Sequence, residues 1–100
     1  MKIYRQGDIV LKSISGLPST LKRIRNNVLA EGETTGHKHE LCGDVHILEG
    51  DKGQKFVIVI EAAALRHDEH KMITVAPGWY QVLQEREYSV VRKISVRSAD

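Results

Sequence analysis

Four of the five histidines in this 100-residue chain fall in two tight groups, His37 with His39 and His67 with His70. A neutral imidazole is a strong ligand for transition metals and moves protons near neutral pH, so such groups point to metal binding or acid–base chemistry. Residues i and i+2 of a strand project to one face, so His37 and His39 present two imidazoles to one ion without bending the backbone. His67 and His70 share a face only if their segment is a helical turn, a bulge or a loop, because three steps along a regular strand reverse the face. Three or four of these imidazoles, with Asp68, Glu69 or Glu40 nearby, suit one divalent transition metal: zinc, iron, manganese, nickel or copper. An open position on that metal would activate water or polarise the oxygen of a small-molecule ligand, with Glu69 as the general base or as a partner behind the ligands.

A plainer reading stands beside this one. Gly36-His37-Lys38-His39-Glu40 also reads as a solvated loop, and Arg66-His67-Asp68-Glu69-His70 as a polar turn whose side chains pair with one another. His46 sits among alternating apolar residues and reads as a hydrogen-bonded structural histidine. Cys42, the one cysteine, reads as a packing residue rather than a soft ligand or a nucleophile, since no catalytic signature surrounds it. It excludes an intrachain disulfide, which fits a reducing, cytoplasmic compartment.

The elements that must position these residues are mostly extended. Asp8 to Ile14 is rich in β-branched residues and follows a Gly-Asp pair, and Asn27 to Glu33 reads as a second strand leading through a turn-rich link, Glu31 to Gly36, into His37. Asp44 to Gly50 alternates, and a turn follows at Gly50-Asp51-Lys52-Gly53. Lys55 to Ile60 is apolar on both faces and belongs in the middle of a sheet. Met72 to Val75 ends at the turn dipeptide Pro77-Gly78, and the alternation then runs from Trp79 through Tyr88 and on from Val90 to Val96. Two segments stay ambiguous. Leu17, Leu21, Ile24 and Val28 recur at helical spacing behind Pro18, so a short helix near residues 18–26 competes with a loop and strand. Glu61 to His70 has alanine-rich helix propensity within extended surroundings. About seven short strands describe a mainly β chain, a small β-barrel or sandwich forming a single domain over residues 1–100.

Composition narrows the partners. A hydrophobic fraction of 41% with 28% charged residues is that of a chain able to build a core. Fifteen Lys and Arg against thirteen Asp and Glu leave so small an excess that charge permits nucleic-acid binding without suggesting it, even with Lys22, Arg23 and Arg25 together. No apolar run is long enough for a membrane span, and Met1 to Gln6 carries charge too early for a signal peptide. Polar residues of Gln84-Glu85-Arg86-Glu87-Tyr88 are expected to pair with Arg5, Gln6 and Asp8, closing the sheet. Trp79 and Tyr80, beside the Pro-Gly turn, read as the cap of a core.

The His37-Lys38-His39 pair, with Gly32 before it and Asp44 and Gly50 after it, resembles the first metal motif of the cupins. The resemblance implies a small β-barrel with metal ligands at His37 and His39 and a third at Asp44. Of the second cupin motif only Pro77-Gly78 matches, so a further histidine must come from His67 or His70. Over nearly its whole length, in Arg5-Gln6-Gly7-Asp8, Gly36-His37-Lys38-His39, His67-Asp68-Glu69-His70, Pro77-Gly78-Trp79-Tyr80 and Gln84-Glu85-Arg86-Glu87-Tyr88, the chain resembles a group of small uncharacterised bacterial and phage proteins. That resemblance implies that the two histidine groups belong to one design.

The leading expectation is a cupin-like protein binding one transition metal through His37, His39 and one or both of His67 and His70. The alternative is a non-enzymatic interaction module without metal, such as a homodimer joined through strand edges.

Overall fold

The computed structural model describes residues 2–31 and 38–85. His37, the link before it, and the expected alternation beyond Glu85 lie outside the described residues. Within them the chain forms β1 (Ile3–Gln6), β2 (Ile9–Ser13), β3 (Lys22–Ile24), β4 (Val28–Glu31), β5 (Lys38–Cys42), β6 (Val45–Glu49), β7 (Lys55–Val59), β8 (Ala63–Arg66), β9 (Ile73–Val75) and β10 (Gly78–Gln84). The strands make two antiparallel sheets, one in the order β1-β2-β10-β7-β6-β3 and the other β4-β5-β8-β9. Among the described residues no helix is long and apolar enough to cross a membrane.

The two sheets share one core. Ile9 and Leu11 of β2, Val57 of β7 and Tyr80 of β10 form a single buried cluster with Leu41 of β5 and Leu65 of β8. β7 lies between β10 and β6, as expected for a strand apolar on both faces, and Phe56, Val57 and Val59 are all buried. The Tyr80 hydroxyl donates to the Ala76 carbonyl at 2.7 Å, and burial, with Tyr4 beside it, pushes its pKa up to about 12. Tyr80 thus caps the core, as expected, whereas Trp79 points outward with 42% of its surface exposed.

The short helix near residues 18–26 does not form. Lys22–Ile24 is instead strand β3, paired in antiparallel register with β6, Ile24 opposite Ile47. The edge of β6 offers backbone partners at each step, which a helix of about two and a half turns could not match, since short helices are marginal without tertiary support. The ambiguous Glu61–His70 segment is likewise extended over β8, and its last residues form the β8–β9 loop.

The register of three antiparallel strand pairs brings the polar residues together. Gln6 pairs with Ile9, leaving Gly7 and Asp8 as a two-residue loop, and Gly7 has the positive φ of 59° that such a tight connection demands. Gln84 of β10 also pairs with Ile9, which brings the far end of the described chain against the same turn. The expected pairing follows for Arg5 and Asp8 but not for Gln6, whose side chain turns to the second sheet: Glu85 N–H donates to the Asp8 carbonyl, Gln84 Nε2 donates to Asp8 Oδ2 at 3.0 Å, and Arg5 pairs with Glu85 at 2.6 Å. In the second sheet Glu40 pairs with Arg66; one step further along this antiparallel ladder, His67 comes opposite His39.

Candidate functional site

His39 occupies an inward position of β5. Its neighbours Lys38 and Glu40 are more exposed and take the other face, whereas His39 is only 3% exposed. Gln6 and His39 are the two buried polar side chains among the described residues, and they bond to each other. This agrees with the rule that a polar group removed from water must find a partner.

The ring of His39 lies 4.3 Å from that of His67, centroid to centroid, and 6.0 Å from that of His70, and the latter two are 4.5 Å apart. His67 and His70 belong to the β8–β9 loop, which meets the condition set by their three-residue spacing. The structure therefore brings together three of the four histidines expected at the site; the fourth, His37, lies outside the described residues. Glu69 sits in the same loop, and its backbone N–H donates to His67 Nδ1 at 3.0 Å. Glu40 and Cys42 project from the face of β5 opposite His39, and Asn27 Nδ2 donates to the Cys42 sulfur at 3.5 Å. Asp44 is exposed in the β5–β6 turn, at the other end of β5 from His39. The third ligand implied by the cupin resemblance is thus not beside the histidines. His46 lies on β6 opposite Ile58, half-buried, and outside the cluster.

Two residues that sequence reasoning assigned only to sheet closure complete the site. Gln6 Nε2 donates to the carbonyls of Leu65 and Lys71, both at 2.9 Å, so its amide oxygen is the end that faces His39 Nδ1, also at 2.9 Å. An amide oxygen only accepts, so Nδ1 must carry the proton. The second nitrogen, Nε2, lies 3.2 Å from Asp8 Oδ1.

This arrangement contains a conflict. Burial lowers the His39 pKa, and the adjacent His67 and His70 lower it further against the opposing pull of Asp8, so the neutral imidazole is favoured. Burial by itself would raise Asp8, but the hydrogen bond from Gln84, its own backbone N–H and the nearness of His39 together hold its pKa below the usual carboxylate value. Protonated on Nδ1 alone, His39 directs the lone pair of Nε2 at a carboxylate oxygen; protonated on both nitrogens, it donates to Gln6 and to Asp8. A proton or a metal cation between Nε2 and that oxygen removes the repulsion. Among the described residues no three His, Cys, Asp or Glu side chains are arranged to hold a metal ion as they stand.

The chain belongs to the family described as Domain of unknown function (DUF8820), whose pattern matches residues 5–85. That span takes in Gln6 and Asp8 as well as His39, His67 and His70, and it agrees with the resemblance to proteins of uncharacterised function. No curated protein and no solved structure matches the chain.

Proposed function

We propose that this member of the DUF8820 family binds one divalent transition metal at the junction of its two sheets, with His39 Nε2 as the anchoring ligand and His67 and His70 as the others. The observation that carries the reading is the 3.2 Å approach of Nε2 to Asp8 while Nδ1 is committed to Gln6. A ligating histidine whose other nitrogen donates to a fixed oxygen is the usual way such a ligand is oriented. Asp8 supplies negative charge at the point where the cation would sit. His67 and His70 would reach the ion by rotation within their loop. A small molecule would reach such an ion from the side of the exposed His70, where Glu69, also exposed, would serve as proton acceptor.

Two finer readings accompany this one. A cupin-like barrel rests on His37-Lys38-His39 without support from Asp44, and a cytoplasmic setting rests on the lone Cys42. The test is competition between metal-free protein and a chromophoric chelator for zinc, iron, manganese, nickel and copper. One equivalent should bind, and His39→Asn should weaken it by at least about 100-fold, more than loss of an outer partner costs. Equal affinity in the variant would rule out His39 as the anchor.

A second reading is favoured by a different surface. Trp79 and Leu83 alternate with buried Tyr80 on β10 and are 42% and 39% exposed. A homodimer through that face, without metal, predicts a doubled mass in solution that Trp79→Ser reduces to the monomer's.

A further inference from the structure

Gln6 bonds to His39 and to the backbone on either side of His67 and His70, and we propose that it is the positioning residue that readies the site before any ligand arrives. The inference takes its purpose from the metal reading above, but its test does not depend on that reading.

The Gln6 side chain has one acceptor group and two N–H bonds to donate, and the protein uses them all. Its oxygen accepts from His39 Nδ1–H, and its nitrogen donates to Leu65 and Lys71, with each separation 2.9 Å. Reversing the amide would set its oxygen against two carbonyls, so the orientation is fixed by chemistry. A side chain only 3% exposed has no water to take over these roles.

The two carbonyls bracket the histidine-bearing loop. Leu65 lies in β8 and Lys71 directly follows His70, so one amide ties both ends of the segment that carries His67 and His70. The same amide holds the ring on which those histidines pack. Gln6 therefore joins β1 of one sheet to β5 and to the β8–β9 loop of the other, and sets the spacing of three imidazoles from a single point.

It also decides which nitrogen is available. Without the Gln6 oxygen, the acceptor left to His39 is Asp8, and the neutral ring would move its proton to Nε2 and donate it there. That tautomer offers no lone pair toward Asp8. With Gln6 in place the proton stays on Nδ1, and Nε2 is left as a ligand or a base.

Nitrogen-15 NMR of the imidazoles in metal-free protein, at about pH 8 where an ordinary histidine is neutral, tests this directly. In the wild type His39 should be protonated on Nδ1 and bare on Nε2. In Gln6→Met the pattern should invert, and metal affinity should fall by about 10–100-fold, as for loss of an outer partner. Gln6→Glu keeps an acceptor toward Nδ1 but sets its oxygen against the Leu65 and Lys71 carbonyls, so it should keep Nδ1 protonated and lose the proton–proton contacts between His39 and His67. A wild-type His39 protonated on Nε2, or an unchanged tautomer in Gln6→Met, would overturn the proposal. Should Gln6→Met fail to fold, the wild-type and Gln6→Glu spectra still decide it. The predicted tautomers without any metal uptake would defeat the metal reading and leave the role of Gln6 standing.

Discussion

The imidazole of His70 packs directly on Gly7, so that a methyl group at position 7 would stand 2.6 Å from its Nε2. The two-residue loop of the first hairpin is thus the floor on which the exposed histidine rests, and the absence of a side chain there leaves it room. Gly7 also holds a φ of 59°, which costs a residue bearing a Cβ about 1–2 kcal/mol.

Gly7→Ala should therefore act twice. It should lower stability by about 1–2 kcal/mol, roughly 4–16 °C in Tm for a domain of this size, and should push His70 away from the cluster. Gly16→Ala is the contrast, because a Cβ there meets nothing within 4 Å. Thermal melts of the two variants should separate clearly, with Gly16→Ala at or slightly above the wild type.

Stability should fall in mild acid. The His39 pKa is lowered in the folded protein from its ordinary 6.5, so the unfolded chain takes up the proton first as pH drops. Its contribution is complete above about pH 6.5 and is lost as pH falls through the folded value. Asp8, also lowered, adds a second loss below its ordinary 3.8. Denaturant titrations of metal-free protein between about pH 8 and 5 should show a decline that is smaller in His39→Asn. A flat profile in the wild type would mean that His39 accepts its proton in place.

Metal binding should be visible at Glu69. Its backbone N–H donates to His67 Nδ1, so in the metal-free arrangement the proton of a neutral His67 is on Nε2. Coordination through Nδ1 displaces that hydrogen bond, and coordination through Nε2 requires Nδ1 to gain the proton. On either route the Glu69 amide loses its acceptor and should shift on metal addition and exchange faster with solvent. An unchanged amide would exclude His67 from the ligand set.

Interactions of different burial should separate by size. Leu65 is fully buried and its carbonyl anchors Gln6, so Leu65→Ala should cost about 2–5 kcal/mol through the cavity it leaves. The Arg5–Glu85 pair is well formed but both side chains are more than half exposed, so Arg5→Ala should leave the melting curve near that of the wild type.

How much of this the sequence carried depended on how local the signal was. The run Lys55 to Ile60 declared a central strand because apolar residues on both faces leave no solvent side. His37-Lys38-His39 and His67-Asp68-Glu69-His70 stood out by type and spacing, and the loop required for the second group is present. The helix expected near 18–26 failed because Leu17, Leu21, Ile24 and Val28 satisfy a helical period by spacing alone, while the pairing of Ile24 with Ile47 spans a separation that periodicity does not see. Asp8 does meet Gln84 and Glu85 as expected, but the pairing expected of Gln6 is replaced by its bond to His39, and neither residue was read as part of the histidine site. Their contacts with His39 cross from one sheet to the other, and only the hairpin registers and the meeting of the two sheets put them there.

The central claim is that His39 Nε2, facing Asp8, takes a metal ion. Elemental analysis of untagged protein, after exposure to each of the five metals and removal of the excess, tests it most directly, with His39→Asn in parallel. Asparagine keeps an N–H toward Gln6 but has no second nitrogen for Asp8. The account predicts close to one metal per chain in the wild type and none in the variant. A wild type that takes up none of the five, or a variant that holds as much as the wild type, would contradict it.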